Sequence, residues 1–361
     1  MFLKEIELAE VCDQLPTIQR YDPQLDSTED PDQMFICACG FEDRSIAIPS
    51  RLSESGKYKT RYSLLFEHET NREDNAINRP RLTQCLDSIS ETKTGSLTYR
   101  DEDFVSMFDS VLDRLILSGE ELPRVSFDIS ACSGKMILSA LKLLFERRIR
   151  LRLLYAEAAI YHPTPSEYER SPQDWTVDGE GMSKGILKAN ESCLYPSLNL
   201  RELPILLVAF PTFKPERMRS IRAELQPAQI FWIIGIPHAP ENQWRTSAMR
   251  EINEIPGDQR TYEISTFNYV DTFSLLEQIY SSNEESYHMI VAPHGSKLQN
   301  VGIAMFCLLR QDVGLWLSTP ESFNPAQYTS GVKGFWQIDF GDIQQIIKAV
   351  RLCGKIELKL P

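Results

Sequence analysis

The stretch Val125-Ser-Phe-Asp-Ile-Ser-Ala-Cys-Ser-Gly-Lys135 decides the reading of this chain. A run suited to a buried strand enters a turn of small and hydroxylated residues that ends in lysine, and an apolar helical stretch follows at 136–147. A second copy reads Tyr287-His-Met-Ile-Val-Ala-Pro-His-Gly-Ser-Lys297 and continues into a helical stretch at 298–310. Short apolar runs at 151–156 and 313–317 close the two cassettes, so each reads strand, turn, helix, strand. Such a turn presents backbone N–H groups and a helix N-terminus where a phosphate can sit.

The two lysines lie 162 positions apart, and Phe104-Val-Ser-Met-Phe108 matches Tyr269-Val-Asp-Thr-Phe273 at an offset of 165. Each half also opens alike, on an apolar strand whose loop ends in arginine: Phe35-Ile-Cys-Ala-Cys-Gly-Phe-Glu-Asp-Arg44 and Ile205-Leu-Leu-Val-Ala-Phe-Pro-Thr-Phe-Lys-Pro-Glu-Arg217. The preserved order argues for internal duplication. Strands that are apolar throughout, separated by amphipathic helices, imply parallel sheets covered on both faces. The expected fold class is therefore α/β, with two tandem Rossmann-like three-layer halves and mainly parallel sheets.

The expected layout is a lead-in over 1–33, a first Rossmann-like domain over 34–160, an inter-domain excursion over 161–203 and a second such domain over 204–361. The excursion is marked by Pro163, Pro165, Pro172, Gly179, Gly181, Gly185 and Pro196. Strands are predicted at 34–38, 62–67, 125–130 and 151–156, then at 205–210, 230–236, 261–265, 288–292 and 314–317. A helix is predicted over 75–90, an added edge strand of the second half at 336–340, and a closing helix at 342–352. Trp336 and Phe340 read as core.

At 361 residues the chain is long enough for two cores. A net charge of −13 argues against a grip on long duplex nucleic acid, which needs many lysines and arginines to displace counterions, but allows a small anion held by a few local cations. No apolar run approaches the roughly 20 residues of a membrane helix, and the opening Met1-Phe-Leu-Lys-Glu-Ile-Glu7 has no signal-peptide pattern. A cytoplasmic location is the expectation. The eight cysteines (12, 37, 39, 85, 132, 193, 307 and 353) include no Cys-x-x-Cys pair and read as free thiols, with no metal and no cofactor expected.

In a parallel sheet ligands collect at the carboxyl ends of the strands. In the first half this singles out Gly40, Arg44 and Ser45 in one loop and Ser130, Ser133, Gly134 and Lys135 in the cassette turn. In the second it singles out His294, Gly295, Ser296, Lys297 and Gln299. The lysines would neutralise phosphates, the hydroxyls and amides orient them, and Arg44 clamp or stack a ligand. The Walker spacing is absent, so ATP hydrolysis is not inferred. Glu67, with His68 and Glu69 beside it, and His294 are the weaker candidates for acid–base work. Arg217 is a poorer candidate, because Pro215 and Glu216 read as an ordinary helix start. The segment Tyr328-Thr-Ser-Gly-Val-Lys-Gly334 reads as a flap over the pocket.

Phe127-Asp-Ile-Ser-Ala-Cys-Ser-Gly-Lys-Met136 resembles the strand-turn-helix signature of CARF domains, in which a lysine-terminated turn sits at the ligand pocket. It departs from that pattern at Ala131 and Cys132, and the second copy does so at His294. SAVED domains look like two CARF folds fused, which is this chain's layout. The resemblance implies a sensor of cyclic oligonucleotides in prokaryotic antiviral defence. With no effector segment evident, the expectation is a nucleotide-type ligand and a separate effector or complex partner protein. An enzyme acting on a nucleotide or phosphosugar, and a non-catalytic scaffold of a defence complex, are the alternatives.

Overall fold

Strand and helix alternate through both halves as the apolar spacing predicts. In the computed structural model, which describes residues 8–27, 30–116, 122–171, 175, 183–186, 188–257 and 260–352, the chain opens with α1 (Leu8–Gln14), β1 (Gln19–Arg20), β2 (Asp32–Cys39) and α2 (Arg44–Ser55). It continues through β3 (Thr60–Glu67), α3 (Arg72–Ala76), α4 (Arg79–Ile89), β4 (Gly95–Thr98), α5 (Phe104–Leu115), β5 (Arg124–Asp128), α6 (Gly134–Phe145), β6 (Arg150–Tyr161) and α7 (Pro165–Arg170). Then come β7 (Ser183–Lys184), β8 (Lys188–Glu191), β9 (Ile205–Ala209), α8 (Pro215–Leu225), β10 (Gln229–Ile236), α9 (Trp244–Ile252), β11 (Thr261–Ser265) and α10 (Tyr269–Asn283). The last elements are β12 (His288–Ala292), α11 (Lys297–Leu309), β13 (Gly314–Thr319), β14 (Ser322–Phe323), β15 (Thr329–Asp342) and α12 (Ile343–Leu352). Pro172, Gly179, Gly181 and Cys353 lie outside the described residues.

Two mainly parallel sheets result. The seven-stranded sheet runs β1-β15-β6-β5-β2-β3-β4 and the six-stranded sheet β11-β10-β9-β12-β13-β8. Numbered within its own half, each parallel core has the order 3-2-1-4-5, the Rossmann arrangement. Its topological switch point falls between β2 and β5 in one sheet and between β9 and β12 in the other.

The core follows from the two-residue period of a strand. Met34, Ile36 and Ala38 of β2 point into one hydrophobic cluster, and Phe35, Cys37 and Cys39 into another on the opposite face. Likewise Leu206 and Val208 of β9 face one cluster while Leu207 and Ala209 face another. The first-named faces of both sheets share one continuous core, because α6 and α11 pack against each other between the sheets. Both helices are apolar nearly all round, as a helix with neighbours on every side requires.

Three expectations are corrected. The segment at 336–340 does not edge the second half: it belongs to β15, which runs antiparallel to β6 and extends the first sheet. The edge of β13 is already taken by β8, whereas β6 has a free edge whose partner must present Trp336, Ile338 and Phe340 to the shared core. The helix expected over 75–90 is two helices, α3 and α4, and Pro80 stands in the first turn of α4, where its missing N–H costs nothing. The proline- and glycine-rich stretch also contributes strands, β7 pairing with β14 and β8 with β13.

Close approach of α11 to α10 depends on Gly302, where an added Cβ would lie 2.3 Å from the Tyr269 carbonyl oxygen and 2.8 Å from Thr272 Cβ. Gly302→Ala is expected to lower stability by about 1–3 kcal/mol through overpacking, measured by urea unfolding. An unchanged midpoint would contradict this helix contact.

Candidate functional site

The carboxyl edge of the second sheet faces the first sheet across a cavity of about 320 Å³. One wall is built from the ends of β9, β10 and β12 and the helices that follow them. The other carries Tyr155, Glu157 and Tyr161 of β6, together with Tyr328, Thr329 and Arg44. Phe323 and Ser183 of the β7–β14 ribbon complete the lining. The cavity thus lies at the switch point of the second half, but its closure needs the first.

Among the described residues, five basic side chains reach this cavity, and they come from the starts of helices. Arg44 is the first residue of α2, Lys214 caps α8, Arg217 lies in the first turn of α8, Arg245 is the second residue of α9 and Lys297 the first of α11. The helix macrodipole is positive there and favours acids, so this placement works against local electrostatics. Glu157 is the one carboxylate in the lining among the described residues.

Among the described residues, three of the cations have only neutral oxygen partners within hydrogen-bond or ion-pair distance. Lys297 Nζ donates to the Cys132 carbonyl at 2.6 Å. Arg217 donates to Ser183 Oγ at 2.9 Å, and its Nε has no partner. Arg245 donates to the Tyr161, His162 and Pro163 carbonyls at 3.4, 3.2 and 2.7 Å. Burial pushes Lys297 down to about 8, with Glu42 opposing and Arg44 assisting. Burial likewise lowers Arg245 to about 10, and it lowers Arg217. Arg44, 2% exposed, is compensated by an ion pair with Glu42 and stays fully charged. Burial alone would raise the Glu42 carboxyl, but Arg44, then Lys297 and the Thr329 hydroxyl, hold it below its ordinary value.

The two lysine turns meet, yet their lysines diverge. Lys297 is the first residue after its cap Ser296, whereas Lys135 is the second after its cap Ser133. One residue turns a helix by about 100°, and Lys135 therefore leaves the cavity and pairs with Asp101 at 3.0 Å. Gly134 takes the place equivalent to Lys297, and a Cβ there would come within 3.2 Å of the Asn300 amide.

The remaining candidates divide between structure and site. Ser133 accepts from Met136 N–H as a helix cap. Ser130 binds Asp128 and accepts from Ala156 N–H at 2.7 Å, and Ser45 joins Ala38 to the Gly40 N–H. These residues hold strand ends together rather than facing the cavity. Gly295, Ser296 and Gln299 do face it. Gln299 closes a reciprocal cap with Ser296, its Oε1 accepting from Ser296 N–H at 2.8 Å. Its Nε2 has no partner, though the residue is 2% exposed. His294 lines the cavity beside Ser318 Oγ, and burial with Arg217 and Lys135 nearby pushes it down to about 3, so it is neutral. Glu67 pairs with Arg79 at 2.7 Å away from the cavity, and His68 contacts the Ala131 carbonyl at 3.0 Å with burial lowering it to about 4. Tyr328 and Thr329 of the expected flap line the cavity, Thr329 as the first residue of β15 and Tyr328 just before it.

Arg217, Arg245 and Lys214 are the cavity-lining side chains that motif spacing undervalues. The available signal was positional: each stands at the start of a helix that follows a parallel strand. Aromatic rings fill the space among them, with His238 stacked on Phe267 at 4.4 Å and Trp336 edge-on to Phe267 at 4.8 Å.

No protein-family model and no curated protein matches this chain. Among solved structures, it is similar to a type III CRISPR defence DNA nuclease activated by cyclic oligoadenylate, at 10% identity and a TM-score of 0.44, covering 75% of this chain. The chain spans 63% of that nuclease's length. A structure of PA1789 from Pseudomonas aeruginosa PAO1 is similar at 9% identity and a TM-score of 0.23, over 83% of this chain and 94% of its own. A putative universal stress protein from Pseudomonas aeruginosa UCBPP-PA14 is similar at 9% identity and a TM-score of 0.22, over 92% and 99%. Likenesses at this level carry no functional argument. Among the described residues no helix is long and apolar enough to cross a membrane.

Two variants separate the buried from the peripheral cation. Arg44→Ala leaves the Glu42 carboxylate buried without its ion-pair partner and is expected to cost about 3–5 kcal/mol, whereas Lys135→Ala, which leaves a half-exposed Asp101 with Lys188 still beside it, is expected to cost under about 1 kcal/mol. Chemical denaturation of both checks this, and equal losses would contradict the placement.

Proposed function

We propose that this chain is a sensor that binds a nucleotide-type anionic ligand in the cavity between its two sheets. The observation that carries the reading is the convergence of Arg217, Arg245 and Lys297, each without a carboxylate within ion-pair distance among the described residues, at the ends of parallel strands in a chain whose net charge is −13. Bringing cations together without counter-charge is unfavourable, and a phosphate would supply the missing anion with charge-assisted hydrogen bonds. The unpaired Gln299 amide and the first N–H groups of α11 offer further donors. The aromatic lining suits a base. A volume of about 320 Å³ is at the small end of ligand sites, which suits a single nucleotide unit.

Because the walls belong to different sheets, occupancy would set the spacing of the two halves, and that is how binding would reach a partner. The resemblance of the lysine turns to CARF and SAVED domains makes antiviral defence, through a separate effector or complex partner, part of the proposal. A cytoplasmic location goes with it. The enzyme reading has less support: Glu67 lies outside the cavity, and His294, at about 3, is a weak base.

Isothermal titration with adenosine and guanosine phosphates and with cyclic oligoadenylates tests the reading. Arg217→Ala and Lys297→Ala should each weaken binding roughly tenfold or more, while Lys135→Ala should change it by less than about threefold. Affinity should also fall as pH rises through about 8, because the ammonium of Lys297 that holds the phosphate is lost there. Curves for Arg217→Ala and Lys297→Ala that match the unsubstituted protein would eliminate the site.

A further inference from the structure

Glu157 is out of place in a cavity built from cations. It is 4% exposed, lies on β6 in the wall supplied by the first sheet, and has no basic side chain within ion-pair distance among the described residues. Its Oε2 accepts a hydrogen bond from Trp336 Nε1 at 3.0 Å. That bond alone would be served by a neutral carbonyl. A buried carboxylate is expensive unless it meets strong donors, and the surplus acceptor capacity faces the ligand space.

Trp336 also fixes where those donors must come from. The same indole lies edge-on to Phe267 at 4.8 Å and to His238 at 5.9 Å, and His238 and Phe267 are stacked on each other with ring planes 23° apart. The carboxylate therefore borders an aromatic shelf. A planar base resting on the shelf would bring its edge to Glu157, while the cations take the phosphate.

We propose that Glu157 selects guanine over adenine, so that the ligand is a guanine nucleotide; this rests on the nucleotide-binding reading and refines it. Guanine presents two adjacent donors, N1–H and the N2 amine, to a carboxylate. Adenine presents one amine beside the N1 lone pair, which a carboxylate repels.

The test is calorimetric titration of the full chain with guanosine 5′-monophosphate and adenosine 5′-monophosphate, before and after Glu157→Gln. The guanine nucleotide should bind roughly tenfold or more tightly, as charge-assisted hydrogen bonds require. Glu157→Gln keeps an acceptor for Trp336, so its melting curve should stay close to that of the unsubstituted protein while the preference shrinks to within about threefold. His238→Ala should weaken both nucleotides alike, by about fivefold or more, as loss of a stacking surface does. Equal binding, or tighter binding of the adenine nucleotide, overturns the base assignment and leaves the nucleotide reading intact. A guanine preference that survives in Glu157→Gln also overturns it, because selection would then lie elsewhere. If neither monophosphate binds, the base assignment fails, and titration with the cyclic oligonucleotides decides the nucleotide reading.

Discussion

A cation withdrawn from water must find oxygen, and Lys297 finds it on the other half of the chain. Its ammonium crosses from the start of α11 to the Cys132 carbonyl in the turn before α6. That contact is possible because α6 and α11 pack directly on each other, with Gly134 leaving room for the Asn300 amide and Gly302 letting α10 close in. Apolar burial holds the helices together, at about 1.5–3 kcal/mol for each large aliphatic or aromatic side chain removed from water. The polar bridge then fixes how the two turns meet. A neutral carbonyl offsets only part of the cost of desolvating the ammonium, which is why Lys297 falls to about 8.

The same incomplete compensation recurs around the cavity. Arg245 leans on three carbonyls where β6 ends, and Arg217 leans on a single hydroxyl. Arg44 differs, since Glu42 neutralises it and Thr329 anchors Glu42 in turn, and Lys214 has Glu216 at 4.0 Å. Among the described residues, carboxylates thus sit beside Arg44 and Lys214 but not beside Arg217, Arg245 or Lys297. An anion entering the cavity would be held by both halves at once.

Much of this was legible in the sequence because burial on both faces leaves a plain signature. The runs at 34–38 and 205–210 are apolar without interruption and 288–292 is so after His288, while 125–130 alternates apolar residues with the buried Ser126, Asp128 and Ser130; together they form the central strands of the two sheets. Switch-point logic then brought Arg44 and Lys297 to the cavity. It failed for Lys135 because matching the two turns on lysine shifts their helices by one residue, and only the cap positions show the true correspondence. Arg217 was undervalued because a proline and a glutamate beside it look like any helix start. The return of β15 to the first sheet was hidden for a different reason. Antiparallel addition to β6 is a long-range pairing, and local periodicity can show that a segment is a strand but not which edge it joins.

The central claim is that Lys297 is an under-compensated cation awaiting an anion. Nuclear magnetic resonance of labelled lysine side chains, with Lys297 assigned from the signal missing in Lys297→Met, measures this directly. Without ligand, Lys297 should titrate near 8, and a bound nucleotide should move it up toward the ordinary lysine value of 10.5. A Lys297 that already titrates at its ordinary value, or that ignores saturating nucleotide, would contradict the account.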